Sequence, residues 1–157
     1  MKKKSKYKPK RVYLNALEWV ISGLKPLNKV DDEAVKIKIK NHDAMLKLTQ
    51  GTADLLDMDT LVKASNMSIS LERSQKLGTD WRDELEAAKQ ALIAVIERGQ
   101  KTARYVCKGS EMSAINLMME IHDAQLDNAT VSMLEKALVY INNRRSGGDT
   151  VTIHVHQ

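Results

Sequence analysis

Between residues 79 and 99 the apolar positions return every three or four residues. Trp81, Leu85, Ala88, Leu92, Val95 and Gly99 follow a 4-3-4-3-4 spacing, which lines one face of an α-helix. Thr79 or Asp80 is the expected cap, and Gly99 the expected kink before "QKTARYVCKG" carries the helix on. Leu61, Ala64, Met67 and Leu71 predict a helix from about Ala53 to Leu77, closed by Gly78. Met112, Ile115, Met119, His122 and Leu126 predict another that starts at Ser110. "SMLE" at 132–135 reads as a capping box ahead of Leu134, Leu138 and Ile141, and "RRSGGD" ends that helix. Near the start, a short helix from Leu14 to Ser22 is stopped by Gly23 and Pro26.

One stretch reads two ways. "VKIKIK" at 35–40 alternates as a strand does, whereas "NHDAMLKLTQG" directly after it reads as helix ending at Gly51. We expect a helix from Val35 or Lys38, with a short edge strand as the competing assignment. The closing "TVTIHVHQ" also alternates and is β-prone. The sum is an all-α bundle of five to six helices with a short β-prone C-terminal tail. Residues 1–11 form a disordered basic arm, 12–146 a single helical domain and 147–157 an extended tail.

Composition supports a helical core. The chain has 157 residues, 43% of them apolar, with eight Met and no Phe, so Leu, Ile, Val, Ala and Met must fill the interior. Trp19 and Trp81 are the expected large anchors. The net charge of +5 is misleading as a domain property. Residues 2–11 carry seven Lys or Arg and no acid, leaving 18 basic and 20 acidic residues elsewhere, about −2. Such an arm neutralises phosphates or steers encounters with acidic partners, so nucleic acid is a candidate partner through it. No apolar run reaches the length of a membrane span, and no signal-peptide core follows the basic start. The expectation is a cytoplasmic protein of the host cell with no membrane association. Cys107 is the only cysteine; with Val106 on the apolar side of a predicted helix, it reads as a buried, inert thiol.

The tripeptide His-Asp-Ala occurs twice, at 42–44 and 122–124. Adjacent His-Asp pairs bind divalent metals in one class of phosphohydrolase, and His42, Asp43, His122 and Asp123 would be the ligands here. Each His also sits four residues before a Leu, Leu46 and Leu126, as a packing residue would. Adjacent helical side chains point about 100° apart, which suits a shared metal poorly. The favoured reading is scaffolding, with no metal and no cofactor: the two triplets pin one helix on another. His154 and His156 share one face of the β-prone tail, but two ligands do not make a site.

Two further clusters are candidate binding residues. Lys101, Arg104 and Lys108 share a face near Arg98, and Arg forks with Lys charge suit phosphate oxygens. The competing reading is a helix end complementing its own dipole. Asn116, Glu120, Asp123 and Asp127 form an acidic flank beside the Met112–Met119 stripe, a combination that suits a partner protein. No Gly-rich phosphate loop, cysteine cluster or Ser-His-Asp order is present.

The stretches "YKPKRVYLNALEWVISGLKPL", "IKNHDAMLKLTQGTADLLDMDTLVKASNMS" and "MEIHDAQLDNATVSMLEKAL" resemble a family of small uncharacterised proteins carried by phages and prophages. The similarity spans about Tyr7 to Ile141. It implies a phage-encoded accessory protein and brings no catalytic residues with it. The expected function is therefore non-enzymatic binding of a host component, in order to blunt antiviral defence. The component is either a phosphate-bearing nucleotide at Arg98, Lys101, Arg104 and Lys108, or a host protein at Met112, Met119, Glu120, Asp123 and Asp127. A nucleic-acid accessory protein for replication or packaging and a metal-dependent phosphohydrolase are the alternatives. Long heptad-like stripes point to a homo-oligomer.

Overall fold

The structure is a computed structural model that describes residues 33–145. The arm, the helix expected at 14–22, Trp19 and the C-terminal tail with His154 and His156 lie outside those residues. Within them the chain is all-α: α1 (Glu33–Gln50), α2 (Leu55–Gln75), a 3-10 turn (Thr79–Trp81), α3 (Arg82–Thr102), α4 (Gly109–Asn128) and α5 (Val131–Arg145). No strand occurs among the described residues, and none of the helices there is long and apolar enough to cross a membrane.

The alternating "VKIKIK" is helical. Its pairing with the core comes from a different row, Ala34, Asn41, Ala44, Met45 and Leu48, all buried on one side of α1. Gly51, at φ +70, ends α1 in the left-handed conformation that glycine adopts without a Cβ penalty. Asp54 then caps α2: its carboxylate accepts from Asp57 N at 2.9 Å, and Asp57 accepts from Asp54 N at 3.0 Å. Lys47 reaches across the corner to Asp57 at 3.1 Å.

α2 is the hub, since it packs against all four other helices. That position explains its sequence. Its small residues Ala64, Ser65, Ser68 and Ser70 are all buried, letting the neighbours approach. Serine hydroxyls at such places need partners. Ser70 Oγ donates to Ala137 O on α5 at 2.8 Å, and Ser68 Oγ to Gln125 Oε1 on α4 at 2.6 Å. Gln125 Nε2 donates in turn to Ser68 O at 3.0 Å and Leu77 O at 2.9 Å, which ties the end of α2 to α4.

Three expectations need correction. Gly99 does not kink a continuing helix: α3 stops at Thr102, Ala103 turns left-handed at φ 56, and residues 103–108 form a connection. Gly99 instead gives room to the Tyr105 ring, which folds back over it. A Cβ there would lie 2.2 Å from Tyr105 Cδ1. The cap of α5 is Thr130, whose Oγ1 accepts from Met133 N at 3.3 Å, so the "SMLE" box at 132 is not the start. Trp81 is not a core anchor, being 43% exposed; the centre is aliphatic, around Leu61, Leu85, Leu92, Ile115 and Met118.

At the turn between α2 and α3 a buried carboxylate is held by one cation. Glu72 is 1% exposed, and Arg82 donates to its Oε1 from Nη2 at 2.6 Å and Nε at 3.0 Å. The carboxylate in return raises the Arg82 guanidinium above its ordinary value.

Candidate functional site: the outer face of α1

The two His-Asp-Ala triplets meet. α1 and α4 lie antiparallel, and His42 Nε2 bonds Asp123 Oδ2 at 2.7 Å, with Lys38 Nζ on Asp127 Oδ1 at 2.6 Å one turn away. The His of one copy thus holds the Asp of the other, at the rim of the α1–α4 seam. The other halves diverge. Asp43 pairs with Lys47 at 2.9 Å on its own helix. His122 turns into the core at 1% exposure, where burial pushes its imidazole down to about 4, against the opposing pull of Asp123 and Gln125. Its Nδ1 has no hydrogen-bond partner. No group of three His, Cys, Asp or Glu residues gathers as a ligand set among the described residues. The phosphohydrolase geometry needs all four groups around one point, and the structure separates them.

The packing role expected of His42 is also revised. His42 and Leu46 both face outward. The sequence holds two parallel rows on α1, and the core took the one through Asn41 and Met45. The row left outside is apolar: Val35 is 49% exposed, Ile39 64% and Leu46 54%, on one helical face with spacings of four and seven. Leu56, 67% exposed at the start of α2, adds a fourth aliphatic side chain beyond the corner. Beside this stripe runs a charged row, Lys36, Lys40, Asp43 and Lys47, with net charge +2. Lys47 is pulled up from its ordinary value by Asp43 and Asp57, so it is charged across the whole working pH range.

The sequence-predicted binding residues are distributed otherwise. Arg98 is engaged: Nη1 and Nη2 grip Glu111 at 3.0 and 2.6 Å, and Nη1 reaches Val106 O at 2.5 Å. Glu111 also accepts from Lys108 N at 2.7 Å, and Arg98 holds its carboxyl below the usual range. This clamp pins the 103–108 connection between α3 and α4. Lys101, Arg104 and Lys108 are exposed around it. Of the partner-face residues, Met119 lies in the core at 2% exposure and Met112 is half-buried. Glu120 is exposed, while Asp123 and Asp127 are taken up by His42 and Lys38. Cys107, half-buried, has its thiol pushed up to about 11 by burial and Glu111, which keeps it protonated and slow to react.

Among the described residues, fold and surface together define an all-α, five-helix arrangement with an exposed apolar stripe on its first helix. Compared with protein-family models, with curated proteins and with solved structures, the chain matches none.

Proposed function

We propose that this chain is a non-enzymatic binding protein that docks a partner protein on the outer face of α1. The observation that carries the reading is the stripe of Val35, Ile39 and Leu46 with Leu56, four large aliphatic side chains about half exposed or more. Scattered apolar residues on a surface are ordinary, but a helical row of them is the signature of a groove or helix partner. The titratable groups that would serve catalysis are committed elsewhere, His42 to Asp123 and Arg98 to Glu111.

Charge favours one kind of partner. A second copy of this chain would bring the exposed Lys40 against itself, which opposes self-association through this face. An amphipathic segment with acidic flanks complements both the lysine row and the basic arm at 2–11. The resemblance to phage-carried proteins makes that partner a host protein, and interference with host defence the purpose.

Affinity capture from host lysate tests the reading when three baits are compared: wild type, Ile39→Asp with Leu46→Asp, and Glu135→Lys on the exposed side of α5. A protein retained by the first and third baits and lost from the second supports α1 as the docking face. An identical set on all three rules it out. Lys36→Glu with Lys40→Glu should weaken the same capture, and the difference from wild type should shrink as salt rises.

A further inference from the structure

A second surface feature lies at the C-terminal end of α4. Where the 3-10 turn meets α4, a groove of about 270 Å³ opens between Trp81 and Leu77 on one side and Ile121 and Ala124 on the other. Its volume is just below that of drug-sized ligand sites, roughly 300–1,000 Å³, and suits a single ring system.

The groove is built from the turn upward. Gly78 has φ +80, and a Cβ on it would sit 3.6 Å from Gln125 Nε2, 3.8 Å from Trp81 Cδ1 and 3.9 Å from Ile121 Cγ2. Any side chain at 78 would therefore project among the groove walls. Glycine satisfies the turn and leaves that space open. Gln125 is 4% exposed and locked by its bonds to Ser68 and Leu77, so the floor is rigid before anything binds. Asn128 stands at the rim, its carboxamide oriented by donation from Nδ2 to Ala124 O at 2.7 Å. Among the described residues, no ionisable side chain lines the groove.

We infer that this groove binds the adenine ring of a nucleoside, stacked on Trp81 and read at its edge by Asn128. An aromatic wall facing aliphatic residues is a stacking slot for a flat heterocycle. A carboxamide side chain is the group whose carbonyl and N–H match adenine N6 and N7. The uncharged lining selects the base and leaves any phosphate outside. An aliphatic or phenyl side chain of a protein would find the stacking wall but leave the carboxamide rim unmatched. This inference does not depend on the α1 face.

Trp81 supplies the test. Trp19→Phe leaves Trp81 as the single tryptophan of the full chain, and its fluorescence is followed on titration with adenosine, inosine, uridine and a single-stranded oligoadenylate. Saturable quenching by adenosine, weaker with inosine and uridine, is the expected result. Quenching by the oligoadenylate alone also supports the adenine site and assigns its source to nucleic acid. Ala124→Leu, a helix-compatible change at an exposed position, should abolish the quenching with the circular dichroism spectrum unchanged. Asn128→Ala should keep the stacking yet lose the preference for adenosine over inosine. No quenching by either adenine ligand, equal quenching by all four, or quenching that survives Ala124→Leu overturns the inference.

Discussion

Acidification should weaken this fold through one side chain. His122 is fully inside, and its folded imidazole titrates near 4 against an ordinary 6.5. Between those values the unfolded chain binds a proton at this site and the folded chain does not. Stability is then complete above pH 6.5 and falls as the pH drops towards 4, the sign required when the unfolded state binds more protons. Over that interval the shift is worth on the order of 3 kcal/mol. Against a total of about 5–15 kcal/mol for a domain of this kind, that is a large share. Carboxylates held below their usual range, Asp57, Glu86 and Glu111, add acid sensitivity in a lower window, below their ordinary values of 3.8 to 4.5. The chain has three other histidines, so the His122 contribution between pH 6.5 and 4.5, on the order of 2 kcal/mol, is read from the difference between wild type and a variant that lacks it. Urea unfolding at half-unit steps across that range measures it in wild type and in His122→Leu. The variant should lose most of the slope, and because Nδ1 makes no hydrogen bond, leucine forfeits none there. Parallel pH profiles for the two proteins would refute the assignment.

Three other expectations concern packing and reactivity. Gly99→Ala puts a methyl into the Tyr105 ring and should cost about 1–3 kcal/mol by thermal unfolding, with Tyr105→Ala in the same chain restoring part of the loss. Arg82→Ala strands the buried Glu72 carboxylate and should lower the urea midpoint, whereas adding Glu72→Leu should recover some of it, since a lone buried charge is worse than no charge. If the double variant is no better than Arg82→Ala alone, the buried carboxylate is not the source of the loss. Iodoacetamide should label Cys107 slowly at pH 8 in the folded protein and rapidly in urea, because burial holds the thiol well above its ordinary 9.0; equal rates would contradict that.

Much of the architecture is legible in the residue order. The stripe Leu85, Ala88, Leu92, Val95 and Gly99 is buried as its spacing requires, and so are Ile115, Met119, His122 and Leu126 on α4. Local periodicity suffices where a helix has one buried face and one wet face. It fails in two situations here. α2 is wrapped by four neighbours, so its buried serines look polar in sequence and only the surrounding helices reveal why they are small. α1 carries two candidate rows, Ala34-Asn41-Met45-Leu48 and Val35-Ile39-His42-Leu46, and nothing local chooses between them.

The choice is made by packing against helices distant in the chain, which buries Asn41 and Met45 and leaves Val35, Ile39 and Leu46 exposed. His42 to Asp123 and Lys38 to Asp127, 81 and 89 residues apart, are the polar contacts that accompany this register of α1 on α4. The repeated His-Asp-Ala reads in sequence as a packing phrase, whereas in the fold one His meets the other copy's Asp at the rim and only His122 packs inside. The sequence alone determined the helical class, the approximate elements and the presence of that repeated phrase, because backbone periodicity is a local property. Only the tertiary structure decided that His42 takes Asp123 while His122 is buried and neutral, that Arg98 serves a loop, and that Trp81 stands in the open. Each of those outcomes depends on which surface a neighbouring helix covers.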